Sequence, residues 1–315
     1  MNILITGGAG YIGSAVARRL LDEGHKVAII DNLSTGDVKY IDDRSVFFRG
    51  NILDVDFLKK VLESNKFDAV MHFAALKDIG ESMCRPDLYT SCNITGTINI
   101  LEAARSTGIG KIIFASSAAV YGAIPEGTAI ESSPCNPTNY YGKTKHIGET
   151  IVEHYSKAYN IDSICFRYFN VAGDSGLRFI DTKAKNIFNI VAEVAAGKQK
   201  ILRIFGDDYD TKDGSGVRDY VHIDDLVDAH ILALDLRGNH VFNLGTENGY
   251  SVLEIIDAFR KKTGHSIPTE ITARREGDIA KLTASCQKAR ETLKWNPVRT
   301  LDDMVESAWN SYIKQ

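Results

Sequence analysis

The chain has 315 residues and a net charge of −4, long enough to bury the cores of two lobes. Lys and Arg are scattered rather than run together, which excludes the electrostatic footprint of a nucleic-acid or anionic-membrane binder, and no run of about 18 apolar residues could span a bilayer. The five cysteines, Cys84, Cys92, Cys135, Cys165 and Cys286, form no Cys-x-x-Cys pair and are read as free thiols with no metal assigned. The chain enters a strand at once, with no basic segment ahead of an apolar one, so the expectation is a soluble, cytoplasmic protein.

In chain order, Ile3-Leu4-Ile5-Thr6 predicts a buried strand, and Gly7-Gly8-Ala9-Gly10-Tyr11-Ile12-Gly13 leads from it into an amphipathic helix. Gly7 permits the tight strand-to-helix turn, Gly10 lets backbone N–H groups approach a pyrophosphate, and Gly13 lets helix and sheet pack closely. A second apolar strand at 26–30 ends at Asp31, where an acid would take ribose hydroxyls. No Arg follows Asp31 directly, so NAD is expected rather than NADP. Further strand-like runs at 45–48, 69–73, 111–114 and 163–166 alternate with helical patterns, which predicts an α/β fold built on a doubly wound parallel Rossmann sheet.

Beyond Asn170-Val171-Ala172-Gly173 the order is less regular. A helix at 186–196, a short apolar run at 201–205, a Gly/Asp-rich loop, a helix at 223–234 and terminal helices at 252–262 and 301–314 suggest a smaller mixed α/β lobe. Residues 1–170 are therefore expected to form an NAD-binding Rossmann domain, rejoined by about 218–245, and residues 171–315 a substrate-binding lobe. Substrate is expected between the lobes, at the carboxyl ends of the strands.

Tyr141 and Lys145 stand four apart at the start of a helix expected to run to about Ala158, so they share one face. Ser116-Ser117 lies just beyond the strand at 111–114, at the carboxyl edge of the sheet, so a Ser, a Tyr and a Lys converge. A free phenol has a pKa of about 10, and an ammonium together with a positively charged nicotinamide favours phenolate; lowering the pKa by roughly three units is worth about 4 kcal/mol. Tyr141 would then take a proton from an alcohol as hydride leaves the same carbon, with Ser117 orienting that oxygen. The expected chemistry is carbinol oxidation.

These residues, with Asp31-Asn32-Leu33-Ser34, His72-Phe73-Ala74-Ala75-Leu76-Lys77, Asn136-Pro137-Thr138-Asn139-Tyr140-Tyr141, Arg167-Tyr168-Phe169-Asn170, Gly216-Val217-Arg218-Asp219-Tyr220 and Arg275-Glu276-Gly277-Asp278, carry a resemblance across nearly the whole chain. The chain resembles the extended short-chain dehydrogenase/reductase family of sugar-nucleotide enzymes, most of all its UDP-hexose 4-epimerases. The resemblance implies that tightly held NAD accepts hydride from C4 of UDP-glucose or UDP-galactose, that the 4-keto sugar turns over while its UDP stays anchored, and that hydride returns to the other face. It also implies a homodimer, through helices near 86–105 and 141–159.

By the same resemblance, Ser117, Tyr141 and Lys145 are the catalytic residues. They also belong to the cofactor site, with Gly7, Gly10, Tyr11, Ile12, Gly13, Asp31, Asn32, Ser34, Thr35, Gly36, Asn51, Ile52, Phe73, Ala74, Ala75, Lys77, Cys92 and Phe169. Lys77 would contact the nicotinamide ribose, and Phe169 would pack at the nicotinamide. The substrate would meet Lys77, Ser117, Tyr141, Asn170, Asn186, Ile187 and Leu282, with Phe205 at the uracil, Arg218 and Arg275 on the diphosphate and Asp278 at the uridine ribose. A guanidinium fork suits phosphate oxygens.

Departures from the family pattern are few. Asn51 stands where an Asp often faces the adenine, and an amide can make the same bond. Cys92 replaces a frequent Asn, and Ala119 a frequent Thr. Leu282 stands at the hexose gate, where a bulky Tyr is associated with narrow substrate choice and a small residue with acceptance of N-acetylated sugars. That leaves a UDP-N-acetylglucosamine or UDP-pentose 4-epimerase as the alternative. Dehydrating or decarboxylating relatives carry acids just after the catalytic Ser or Thr, whereas Ser117 is followed by Ala118, Ala119 and Val120. A mere NAD-binding sensor would have no reason to keep Ser117, Tyr141 and Lys145 together.

Overall fold

A computed structural model describes residues 1–180, 186–275 and 278–313. Lys314, expected to end the last helix, and Glu276-Gly277 of the last sequence block lie outside the described residues. The chain forms two compact units, one of Met1–Gly122, Pro134–Tyr168 and Val227–Phe242, the other of Ala123–Ser133, Phe169–Leu226 and Asn243–Gln315.

The strands in chain order begin with β1 (Asn2–Thr6), β2 (Lys26–Asp31), β3 (Val46–Arg49), β4 (Ala69–His72) and β5 (Lys111–Ser117). There follow β6 (Thr128–Ala129), β7 (Asp162–Tyr168), β8 (Asn170–Ala172), β9 (Leu202–Phe205) and β10 (Val217–His222). The last are β11 (Asn239–Leu244), β12 (Gly249–Ser251), β13 (Thr269–Thr272) and β14 (Lys281–Ala284). The helices are α1 (Tyr11–Asp22), α2 (Val55–Ser64), α3 (Ile79–Cys84), α4 (Pro86–Tyr89), α5 (Gly96–Thr107) and α6 (Tyr140–Tyr159), then α7 (Ile187–Ala195), α8 (Ile223–Leu232), α9 (Val252–Thr263) and α10 (Leu301–Ile313). Among the described residues no helix is long and apolar enough to cross a membrane.

The first unit is built on a seven-stranded sheet in the order β11-β7-β5-β4-β1-β2-β3, with β7 through β3 running parallel. Its strands are apolar almost without alternation because both faces are covered. Leu4, Ala28, Ile30, Val70, Ile112 and Phe114 pack on one face against Leu58 and Val61 of α2, Ile100 and Leu101 of α5 and Val152 of α6. Ile3, Ile5, Ile29, Met71, Ile113 and Ile164, at alternate positions along the same strands, are equally buried. Each such side chain contributes about 1.5–3 kcal/mol of burial free energy. The chain winds outward from β1 through β2 to β3 and then returns to β4 on the other side of β1. Strand order reverses there, so a crevice opens at the carboxyl ends of β1 and β4.

In the second unit β10 pairs antiparallel with β12 and parallel with β14 and β8, while β9 and β13 form a separate parallel pair. The core joins Phe188, Val191 and Ala192 of α7, Ile255, Ile256 and Phe259 of α9, and Met304, Val305 and Ala308 of α10. Ser251 and Glu254 close a reciprocal capping box at the start of α9, worth about 1 kcal/mol.

Two elements differ from the sequence expectation. Strand β5 does not stop at Phe114 but continues to Ser117, because β7 stays in register with it through Ser116↔Arg167 and Ser117↔Tyr168. The apolar run at 201–205 becomes strand β9, whose partner β13 carries too little apolar alternation to be recognised by itself.

Candidate active site

The crevice of the first unit is lined by the turn after β1, the end of β2 and the loops after β3 and β4. Gly7 has φ 75°, and a Cβ there would lie 2.6 Å from the Ala74 nitrogen; a Cβ on Gly13 would lie 2.3 Å from the Gly7 carbonyl oxygen. The two glycines therefore let the β1 turn meet the β4 loop and α1 without side chains between them. Gly10 caps α1 and brings no side chain to its N-terminus. Asp31 ends β2, and its carboxylate accepts the Ala9 N–H at 3.0 Å and the Leu33 N–H at 2.8 Å, which hold it at the rim with lone pairs to spare.

Gly7, Gly10, Tyr11, Ile12, Gly13, Asp31, Asn32, Ser34, Thr35, Asn51, Ile52, Phe73, Ala74, Ala75, Lys77, Cys92, Tyr141 and Lys145 all line this cleft. Gly36 packs on Ala9 rather than into the lining, and the Asn51 side-chain oxygen accepts the Leu53 N–H at 3.0 Å. Asn93 braces the β4 loop through both its amide atoms on Leu76 and donates to Thr144 of α6. Ser116, named with Ser117 at the carboxyl edge of the sheet, lines the cleft, and Ile30, Gly50, Leu76, Ala115 and Tyr168 do so without having been assigned to the site. Tyr168 is the most telling of these: it ends β7 directly beside Ser117, and its hydroxyl bonds the buried His230 Nε2 at 2.8 Å. Its position at a carboxyl strand end was a signal available in the sequence; its His230 partner, 62 residues on, was not.

Helix α6 carries Tyr141 and Lys145, which with Ser117 are the groups expected to react. Asn139 caps it by accepting the Gly142 N–H at 2.8 Å, and the Tyr141 N–H donates to Ser82 Oγ at 3.1 Å, which fixes the first turn. The Ser117 side chain acts on the Tyr141 phenol, and its Oγ accepts the Ala119 N–H at 3.2 Å. Lys145 Nζ donates to the Ala115 carbonyl at 2.7 Å and stands 5.1 Å from the centre of the Phe114 ring. Burial pushes the Lys145 amine down to about 8, opposed by Cys92 and Glu149. In the chain alone burial raises the Tyr141 phenol, opposed by the Ser117 side chain; the lowering expected from the ammonium together with a positively charged nicotinamide belongs to the NAD-loaded site.

A dinucleotide fits this lining. The Gly7 and Gly13 positions have no room for a Cβ, which keeps the turn close to a phosphate path, and Asp31 supplies a fixed acceptor for ribose hydroxyls.

The second unit gathers most of the expected substrate residues. Asp278 takes Arg275 at 2.8 Å and Arg218 at 3.8 Å, so two guanidinium groups share one carboxylate and leave net positive charge. The Arg275 guanidinium lies 4.7 Å from the centre of the exposed Phe205 ring. Burial pushes the Arg218 guanidinium down. Leu282 on β14 is the register partner of Arg218 on β10. Tyr209, which the sequence reading did not single out, has a buried hydroxyl without a hydrogen-bond partner among the described residues, with Arg274 stacked 4.0 Å from its ring centre. Asn170 bonds Tyr220. Asn186 caps α7 through the Phe188 N–H at 3.0 Å and donates one amide proton to the Val171 carbonyl at 2.7 Å, which leaves a second amide proton, with Ile187 opening the helix. Phe169 is buried, held by its N–H on the Leu244 carbonyl at 3.0 Å, and is not among the residues lining the first unit's cleft.

Known proteins agree with this geometry. The sequence profile of the NAD dependent epimerase/dehydratase family matches residues 3–245. The chain is 45% identical to the UDP-glucose 4-epimerase of Lacticaseibacillus casei over 318 residues, covering 98% of this chain and 96% of that protein. It is similar to the crystal structure of UDP-glucose 4-epimerase from Bifidobacterium longum in complex with NAD+ and UDP, with a TM-score of 0.94 and 38% identity over 100% of this chain and 98% of that one. It is also similar to the UDP-Glc/GlcNAc 4-epimerase of Campylobacter jejuni, with a TM-score of 0.87 and 38% identity over 100% and 99% of the two chains. A glycine-lined dinucleotide cleft holding Tyr141 and Lys145, with Ser117 outside the lining but next in the chain to the lining residue Ser116, together with matches of this extent, establishes that the chain belongs to the NAD dependent epimerase/dehydratase family.

Proposed function

We propose that the chain interconverts UDP-glucose and UDP-galactose by oxidising and re-reducing C4 of the hexose, with NAD as its bound cofactor. The observation that carries this reading is that Tyr141 and the buried Lys145, whose amine is held by the Ala115 carbonyl, stand in the wall of a dinucleotide cleft with Ser117 acting on the Tyr141 phenol. Gly7, Gly10 and Gly13 would hold the pyrophosphate, Asp31 the adenosine ribose, and Lys77 the nicotinamide ribose. Bound there, NAD supplies the hydride acceptor for C4 and a positive charge that favours the phenolate.

The chain's own residues then handle the proton. Burial favours the neutral phenol, while the Ser117 side chain favours the phenolate, so Tyr141 can both accept the C4 hydroxyl proton and return it. Ser117 orients the sugar oxygen, and the Lys145 amine sets the local charge. Nothing is consumed, because the proton and hydride taken from the alcohol go back to it. Ala118, Ala119 and Val120 after Ser117 offer no acid for elimination, which favours epimerisation over dehydration.

Arg218 and Arg275 would hold the diphosphate, Phe205 would face the uracil, Asp278 would accept from the uridine ribose, and the Tyr209 hydroxyl offers one more polar contact. A cytoplasmic homodimer belongs to the same proposal, and light scattering of the purified protein should give a particle of two chains.

The test is conversion of UDP-galactose by the purified protein, followed by NMR at C4. UDP-glucose should form without added cofactor, and Tyr141→Phe should slow turnover by about 10² or more. A near-normal rate in that variant removes Tyr141 from the role; no conversion by the parent protein overturns the proposal.

A further inference from the structure

Tyr141, Lys145 and Glu149 recur every four residues along α6, and each reaches one of three consecutive residues at the end of β5. The Tyr141 phenol is influenced by the Ser117 side chain, Lys145 bonds the Ala115 carbonyl, and Glu149 Oε1 accepts from Ser116 Oγ. Glu149 is in turn gripped by Arg167 of β7, whose Nε donates to Oε1 at 2.9 Å and whose Nη2 donates to Oε2 at 2.7 Å. The remaining Arg167 Nη1 donates to the Tyr121 hydroxyl at 2.9 Å. Both members of the ion pair are 7% exposed.

We propose that Glu149 is a positioning residue for the reaction: held by Arg167, it locks α6 in register with the end of β5 and places a fixed negative charge one helical turn from Lys145. The proposal rests on the reading that Ser117, Tyr141 and Lys145 carry the chemistry. A buried ion pair adds little stability over apolar side chains of the same shape, so stability does not explain it. Geometry does, because loss of the Glu149–Ser116 bond frees the strand residue next to Ser117. Cys135 and His146 approach Glu149 closely enough to share a cation with it, but Arg167 engages both carboxylate oxygens and its charge opposes a second cation.

The charge matters because of what else surrounds the Lys145 amine. Cys92, in the helical turn before α5, stands ahead of Glu149 in favouring the charged form, but burial pushes its thiol up, so at neutral pH it carries no charge, while His72 of β4 is held neutral by burial. Tyr141 lies one turn ahead on α6, and Arg167 stands behind Glu149. Glu149 is the one carboxylate among these groups. Its removal lets burial pull Lys145 further down, and the unpaired Arg167 acts in the same direction.

The experiment compares the NAD-loaded parent with Glu149→Gln and Ser116→Ala. In Glu149→Gln, kcat for UDP-galactose should fall about tenfold with KM within roughly twofold, and the alkaline limb of kcat should move to lower pH by about half a unit or more. A ¹⁵N NMR titration of the Lys145 amine, assigned with Lys145→Met, should move the same way. Ser116→Ala keeps the charge and loses the bond, so kcat should fall several-fold while the alkaline limb stays in place. A folded Glu149→Gln with parental kcat and pH limb overturns the proposal, as does Ser116→Ala at the parental rate should Glu149→Gln fail to fold. An unmoved Lys145 titration in Glu149→Gln overturns it even if the parent converts no UDP-sugar, and that last failure is read separately, in the parent's own rate.

Discussion

Leu282 is the side chain we propose to set substrate breadth. It is 7% exposed on β14, directly across from Arg218, so a larger group there must displace its neighbours or fill whatever space a sugar substituent would use. Leu282→Tyr should therefore cost more activity on UDP-N-acetylgalactosamine than on UDP-galactose, with a stability loss of about 1–3 kcal/mol from overpacking. Parallel rate assays on the two sugars check it, and equal losses would remove Leu282 as a gate. At this scale the sequence was most informative where spacing fixes geometry. Tyr141 and Lys145 share a face because a helix repeats every 3.6 residues, and Asp31 reaches the rim because it ends a strand. The direction of the Tyr141 shift in the chain alone was not readable, because it depends on how deeply the phenol is enclosed. Asn186 keeps its family position, and its amide also caps α7.

Two buried histidines tie elements together and make the fold acid-sensitive. His72 of β4 bonds Thr6 of β1 at 2.6 Å and Thr97 of α5 at 3.1 Å, and burial pushes its pKa down to about 3. His222, ending β10, bonds Ser307 of α10 at 2.9 Å and is pushed down to about 4, by burial first and by Arg299 second. Both are neutral in the folded chain but take up a proton near pH 6.5 once unfolded. The unfolded state thus binds more protons between pH 6.5 and about 4, and stability must fall as the pH drops through that window. At pH 5.5 each group costs about 1.4 kcal/mol relative to neutral pH. Denaturant melts at pH 7 and pH 5.5 measure this, and a His72→Gln variant should lose part of the difference; an unchanged midpoint would contradict it. Strand β4, which carries His72, was legible like β1, β2 and β5 because each holds a run of consecutive apolar residues, whereas β10, which carries His222, was not anticipated as a strand. The β9–β13 pair was not, because a short pair exposed on one face leaves little apolar pattern to read.

Each unit draws on three separate stretches of chain, and the crossings at 122–123, 133–134, 168–169, 226–227 and 242–243 fall within short loops or inside elements. No change of composition marks such points, so the outline of a Rossmann domain was readable while the excursion of Ala123–Ser133 into the second unit was not. The cofactor cleft has the same character: its lining comes from segments between Gly7 and Tyr168 that are brought together by the strand order around β1. A ligand that touches all of them binds only the folded unit and must stabilise it, by about 2.7 kcal/mol when free NAD is at 100 times its dissociation constant. For a unit of this size that is a rise in melting temperature of roughly 5–10 °C. Protein stripped of nucleotide should melt lower by that amount, and NAD should restore it. NADP should not, because its extra phosphate would meet the Asp31 carboxylate with no following Arg to neutralise it. The purified protein should release NAD on denaturation. Equal melting temperatures with and without NAD, or equal rescue by NADP, would show that the glycine turn and Asp31 do not hold the cofactor on which the proposed proton chemistry of Tyr141 depends.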